Sequence, residues 1–162
     1  MPDAVDAILA QWEQARPDLD VTPMAVIGRI SQSARLIDQQ LKATFDRHGL
    51  DAAGFDVLAT LRRTPDHRLS PSELMRTAMV TSGAITQRLD KLQARGLVRR
   101  ARSATDGRGS HVTLTAAGKR LVDRVLPDHL ATEERLLAKL SGAQRAALAD
   151  ALRTFILGDD DG

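Results

Sequence analysis

The sequence predicts a mainly α-helical chain carrying one small β-hairpin. Apolar residues recur every three or four positions along most of its length, and a series of helix-start signals punctuates it. Only two short runs, near residues 97–101 and 110–114, read as strands. The length of 162 residues suits one domain, or one domain plus an oligomerisation element. Hydrophobic residues make up 43% and charged residues 27%, which excludes wholesale disorder.

The elements follow in order. An amphipathic segment runs from about Asp3 to Arg16, with Ile8, Trp12 and Ala15 at helical spacing, and Pro17 follows it. Thr22-Pro23 reads as an N-cap with proline at the first helical position. Ile27, Ile30, Ala34, Ile37, Leu41 and Phe45 then step along a long helix to Arg47-His48-Gly49, a basic end with a glycine stop. Asp51 can cap a third helix carrying Phe55, Leu58 and Leu61, which ends before Pro65.

Ser70-Pro71-Ser72-Glu73 is a capping box that starts a short helix. Thr81-Ser82-Gly83 opens the next, with Ile85, Leu89 and Leu92 facing inward and Gly96 ending it. The strand-like runs come next, separated by Ser103 to Gly109. Thr115 caps a long helical stretch interrupted at Pro127, and the Ser141 to Gln144 capping box begins a final helix with Leu148, Leu152 and Phe155. Residues 158–162 are acidic and are expected to fray.

Several functions are excluded by composition. The chain has no Cys, which removes disulfides, thiol catalysis and thiolate metal sites. Three Phe and one Trp are too few for a platform that stacks single-stranded bases. No apolar run approaches a membrane span and the N-terminus lacks a basic leader, so a cytoplasmic protein without membrane contact is expected. No phosphate-binding glycine loop, nucleophile elbow or metal-binding pair of histidines is present, and His48, His67, His111 and His129 read as surface or cap residues. An enzyme, a resident cofactor and a metal site are therefore not expected.

Charge carries more. The pI of 9.5 arises from only 23 Lys and Arg against 21 Asp and Glu. With neither Cys nor Tyr to titrate, two surplus charges carry the pI far upward. The distribution is the informative part: residues 62–108 hold eleven Lys and Arg against four Asp and Glu, and the rest of the chain is net acidic. That asymmetry suggests a polyanion partner.

Helix, turn, helix and a hairpin with a basic tip form a winged helix-turn-helix pattern. The second helix suits the major groove of double-stranded DNA. Small residues at its start, Thr81, Ser82, Gly83 and Ala84, allow its N-terminus to approach a phosphate. Gln87 and Arg88 have the chemistry for base edges, and Lys91 and Arg95 suit phosphates. Ser70 and Thr86 on the two helices and Arg100 on the hairpin complete the candidate DNA-binding set with the tip. At the tip, Arg108 can enter a minor groove, and Asp106 is placed to hold an arginine by an ion pair. The competing reading, a merely solvated basic face, does not account for the agreement of caps, spacing and wing.

Residues 97–118, LVRRARSATDGRGSHVTLTAAG, resemble the wing of multiple-antibiotic-resistance-type (MarR) regulators. The family pattern D-x-R-x-x-x-[VI]-x-L-T-x-x-G falls on Asp106, Arg108, Val112, Leu114, Thr115 and Gly118 without departure. The resemblance covers about residues 22–157 and implies a homodimer, formed by the first and last helices, on a pseudopalindromic operator. It divides the chain into an extra helix and linker at 1–21, a winged helix-turn-helix domain at 22–157 and a tail at 158–162. Within the domain, the reading head spans about 51–115 and the dimerisation helices about 23–48 and 115–157.

The strings ILAQWEQARPDLDV, GFDVLATL and SELMRTAMVTSGAITQRLDKL further resemble the urate-responsive branch of that family. The resemblance implies a ligand site of Trp12, Asp56, Arg76 and Arg88 and release from DNA by a small aromatic anion such as urate. The chemistry agrees: a planar anion is served by an aromatic face and by guanidinium groups. Asp56 is expected to pair with an arginine in the empty site, and Arg88 on the reading helix would couple ligand to DNA. Phe55 stands where the branch commonly has Trp, which leaves phenols and aromatic carboxylates open as effectors. The implied function is a ligand-responsive repressor; a winged-helix protein-interaction module without DNA binding is the alternative.

Overall fold

The computed structural model describes residues 1–78, 82–102 and 110–158. Its helices are α1 (Ala4–Ala15), α2 (Thr22–Arg47), α3 (Ala52–Arg63), α4 (Pro71–Thr77), α5 (Ser82–Ala94), α6 (Ala116–Leu137) and α7 (Gly142–Leu157). Its strands are β1 (Arg68–Leu69), β2 (Val98–Arg102) and β3 (Ser110–Leu114). The mainly helical class with a β-hairpin is as the sequence predicts. Among the described residues no helix is long and apolar enough to cross a membrane. Two compact units divide the chain, Met1–Leu41 and Lys42–Gly162, the boundary falling within α2.

In the first unit, α1 begins at a reciprocal cap. The Asp3 carboxylate accepts the N–H groups of Val5 and Asp6 at 2.8 and 3.0 Å, and Asp6 accepts the Asp3 N–H at 2.8 Å. Arg29 of α2 donates to both acids, at 2.9 Å to Asp3 and 2.6 Å to Asp6. The Asp6 backbone N–H, with Arg29 beside it, holds the Asp3 carboxyl below its usual range. Val5 is buried over Gly28, where a Cβ would lie 3.1 Å from the Val5 Cγ1. The expected Thr22 cap is displaced. Thr22 is already helical, and the Asp20 carboxylate accepts its N–H at 2.9 Å instead.

In the second unit, α2 stops as predicted. Gly49 adopts φ +64°, and the Gly49 and Leu50 N–H groups return to the carbonyls of Asp46 and Phe45. Asp51 caps α3 through the Gly54 N–H at 2.6 Å, and Val57, Leu58 and Leu61 on α3 are fully buried. Phe45 and Phe55 stack at 4.7 Å between ring centroids. His129 completes that cluster at 4.8 Å from Phe55, so it is a packing residue rather than the surface or cap residue expected. A 3₁₀ turn at Pro65–His67 and strand β1 were not legible in the sequence. β1 pairs with β3 and gives an antiparallel sheet of order β1-β3-β2.

Two further details depart from expectation. The first wing strand is Val98–Arg102, one residue later than the run near 97–101. Pro127 does not interrupt the long helix, because α6 runs unbroken from Ala116 to Leu137. Proline in a helix interior forfeits a hydrogen bond and costs about 3 kcal/mol. Here Leu121, Val122 and Val125 before it and Thr132 after it are all buried, so packing on both sides holds the helix together. The Thr132 hydroxyl also meets that of Thr44 of α2 at 2.8 Å inside the molecule.

One glycine explains the end of the wing motif. Thr115 caps α6 by accepting the Gly118 N–H at 3.0 Å, which turns Gly118 onto the backbone of Leu97. A Cβ at Gly118 would lie 2.1 Å from the Leu97 carbonyl oxygen and 2.7 Å from a Leu114 methyl. Gly118→Ala is expected to cost about 1–3 kcal/mol in denaturant unfolding, the range for forced overpacking. A loss below about 0.5 kcal/mol, the scale of an ordinary surface change, would contradict this close approach.

Candidate nucleic-acid interface

The reading head is built on α3. Ser70 opens α4 with the predicted box: its hydroxyl accepts the Glu73 N–H at 3.2 Å and donates to the Glu73 carboxylate at 2.7 Å. That commits to the cap a hydroxyl expected to serve DNA. The Ser70 backbone N–H above all holds the Glu73 carboxyl below its usual range. Arg63 of α3 donates to the Thr77 carbonyl at 3.1 Å and so steadies the other end of α4.

Helix α5 presents three kinds of face. Ile85, Leu89 and Leu92 are buried as predicted, which fixes the rotation of the helix. Thr86, Gln87, Lys91 and Ala94 are exposed. Gln87, Lys91 and Ala94 follow one another at helical spacing, the stripe a groove would meet. Arg88 is half-buried and lines, with Lys91, Arg95 and the turn at Gly49–Asp51, a cleft of about 360 Å³.

Two arginines expected on DNA have partners within the fold. Arg95 donates to the Gly49 carbonyl at 2.7 Å, which ties the end of α5 to the turn between α2 and α3. Arg100 of β2 forms an ion pair with Asp90 of α5 and donates to Gln93 Oε1 at 2.9 Å. Asp90 and Gln93 as partners were missed by the sequence reading, because i,i+3 spacing does not reveal a strand arriving beside the helix. Thr81, Asp106 and Arg108 lie outside the described residues, and of Ser82, Gly83 and Ala84 only their place at the start of α5 is described.

Three of the four expected ligand residues fall in the second unit. Arg76 is exposed on the last turn of α4, and Arg88 lines the cleft on α5. Asp56 is half-buried on α3, but among the described residues it has no arginine partner, contrary to expectation. Its Oδ2 is buried without any hydrogen-bond partner, and so is the Thr60 Oγ1 one turn further along. The only sequence signal for Thr60 is its spacing of four from Asp56, which puts the two on one helix face. Trp12, on α1 in the first unit, is 43% exposed.

The described geometry is a winged helix-turn-helix reading head. The MarR family model matches residues 48–109. The chain is 39% identical over 145 residues to the HTH-type transcriptional regulator PecS of Dickeya dadantii, covering 89% of this chain and 87% of that protein. It is 27% identical over 137 residues to the transcriptional repressor YetL of Bacillus subtilis, covering 85% and 82%. The crystal structure of Sco3205, a MarR family regulator from Streptomyces coelicolor in complex with DNA, matches with TM-score 0.80 and 25% identity over 86% of this chain and 89% of that one. This chain belongs to the MarR family of winged helix-turn-helix transcriptional regulators. It is a DNA-binding regulator and not an enzyme.

Lys91 separates phosphate contact from scaffold. Lys91→Gln is expected to weaken binding to all DNA sequences alike and to flatten the log–log salt dependence by about 0.9, one counterion's worth. An unchanged slope would remove Lys91 from the phosphate contacts.

Proposed function

We propose that the chain is a cytoplasmic repressor that binds a pseudopalindromic operator as a homodimer and is released by a small aromatic anion such as urate. The observation that carries the effector reading is the buried Asp56 Oδ2, which has no hydrogen-bond partner among the described residues, as the Thr60 hydroxyl one turn away has none. Buried polar atoms are ordinarily paired, and an unpaired one costs about 1–3 kcal/mol. A ligand with N–H donors on its edge satisfies a carboxylate, whereas a carboxylate ligand repels it. Arg76 and Arg88 supply positive charge, and the resemblance to the urate-responsive branch adds Trp12 as the aromatic member. Arg88 links such a site to DNA because it lies on the reading helix.

The dimer is supported by apolar faces that this chain leaves uncovered. Leu148, Phe155, Ile156 and Leu157 are exposed on α7, and Met24, Val26, Ile27, Leu36 and Ile37 on α2. Helix faces of this kind are characteristic of interfaces. The repressor reading is supported by the likeness to YetL, which is named a repressor.

A duplex selected from a random pool by the full chain provides the assay. Urate is expected to release it in a mobility-shift titration, with xanthine weaker and salicylate weakest. Asp56→Asn and Trp12→Phe are expected to keep DNA affinity and to require about tenfold more urate, a difference of about 1.4 kcal/mol. Release by salicylate but not by urate would overturn the effector class, and variants that respond as the wild type would remove these residues from the site.

A further inference from the structure

We propose that Arg100 is a positioning residue that locks the wing to the reading helix, and not a phosphate contact. Its guanidinium ends on two groups of α5, the Asp90 carboxylate and Gln93 Oε1. In the register of the hairpin Arg100 lies opposite Val112, which is fully buried, at the middle of the β2–β3 ladder. The Arg100 side chain is 29% exposed, whereas Arg99 beside it on the strand is an exposed residue. A planar fork that meets two acceptors at once fixes an angle as well as a distance.

The acid makes the argument specific. Asp90 is an exposed negative charge on the helix that enters the groove, and its side chain is 60% exposed. An acid there opposes a polyanion, and in the structure its partner is Arg100. Arg95 performs the matching task at the end of the helix, through the Gly49 carbonyl. The reading helix is thus held on one flank by the wing strand and on the other by the turn before α3. Lost positioning harms the recognition of one sequence, whereas lost phosphate contacts harm binding to every sequence.

Asp90→Asn in the full-length chain tests this, because simple electrostatics predicts the opposite sign. The probes are a duplex selected by the wild type from a random pool and a scrambled duplex of equal length. The expected result for Asp90→Asn and Arg100→Gln is about tenfold weaker binding to the selected duplex, with affinity for the scrambled duplex within about twofold and an unchanged salt slope. The charge-swapped pair Asp90→Arg with Arg100→Asp is expected to recover part of the lost affinity. Circular dichroism and thermal melts confine the comparison to folded variants, and Arg100→Lys, which keeps charge but not the fork, serves where the glutamine variant fails to fold. Tighter binding by Asp90→Asn, or equal weakening on both duplexes by Arg100→Gln with a slope reduced by about 0.9, overturns the proposal. So does wild-type affinity in both single variants.

Discussion

The carbonyl of Leu97 is the point on which the reading head turns. It accepts the Thr115 backbone N–H and the Thr115 hydroxyl, both at 3.1 Å, and Gly118 passes against it with no room for a Cβ. The Leu97 N–H meanwhile closes the end of α5 on the Leu92 carbonyl at 2.9 Å. One residue therefore joins the end of the reading helix, the root of the wing and the start of α6. The orientation of α5 relative to the hairpin depends on that junction. The Leu-Thr-x-x-Gly end of the family motif is thus an architectural device.

The surplus of positive charge in residues 62–108 divides in the same way. Arg62 pairs with Asp123 at 2.8 Å and Arg63 caps α4, while Arg95 and Arg100 brace α5 from its two flanks. Exposed ion pairs add little stability, commonly 0–1 kcal/mol, but they can fix direction. Several of the cations that look in composition like a polyanion surface therefore act on the protein itself. Lys91 and Arg99, by contrast, are exposed.

The fold was largely legible because its signals are local. Asp3, Asp51, Ser70, Thr115 and Ser141 each cap the helix that follows, and Gly49 and Gly96 each end a helix at positive φ. What escaped the sequence depends on contacts distant along the chain. β1 is only two residues long and exists because β3 offers it an edge. Pro127 reads as a breaker until the buried residues on both sides of it are known. The candidate site was legible in residue type, as at Lys91, which is exposed, but not in partner. Nothing local says that Arg100 meets Asp90, or that Asp56 meets no arginine among the described residues.

Held by these braces, α5 is expected to lie in a major groove, one from each of two copies of the chain. Dimethyl sulfate protection of guanine N7, which faces the major groove, tests it most directly on a duplex selected by the chain. The expected result is two protected patches related by a two-fold axis, with centres about 10 base pairs, or about 34 Å, apart or a multiple of it. A single patch, or protection confined to adenine N3, which dimethyl sulfate methylates in the minor groove, would contradict it.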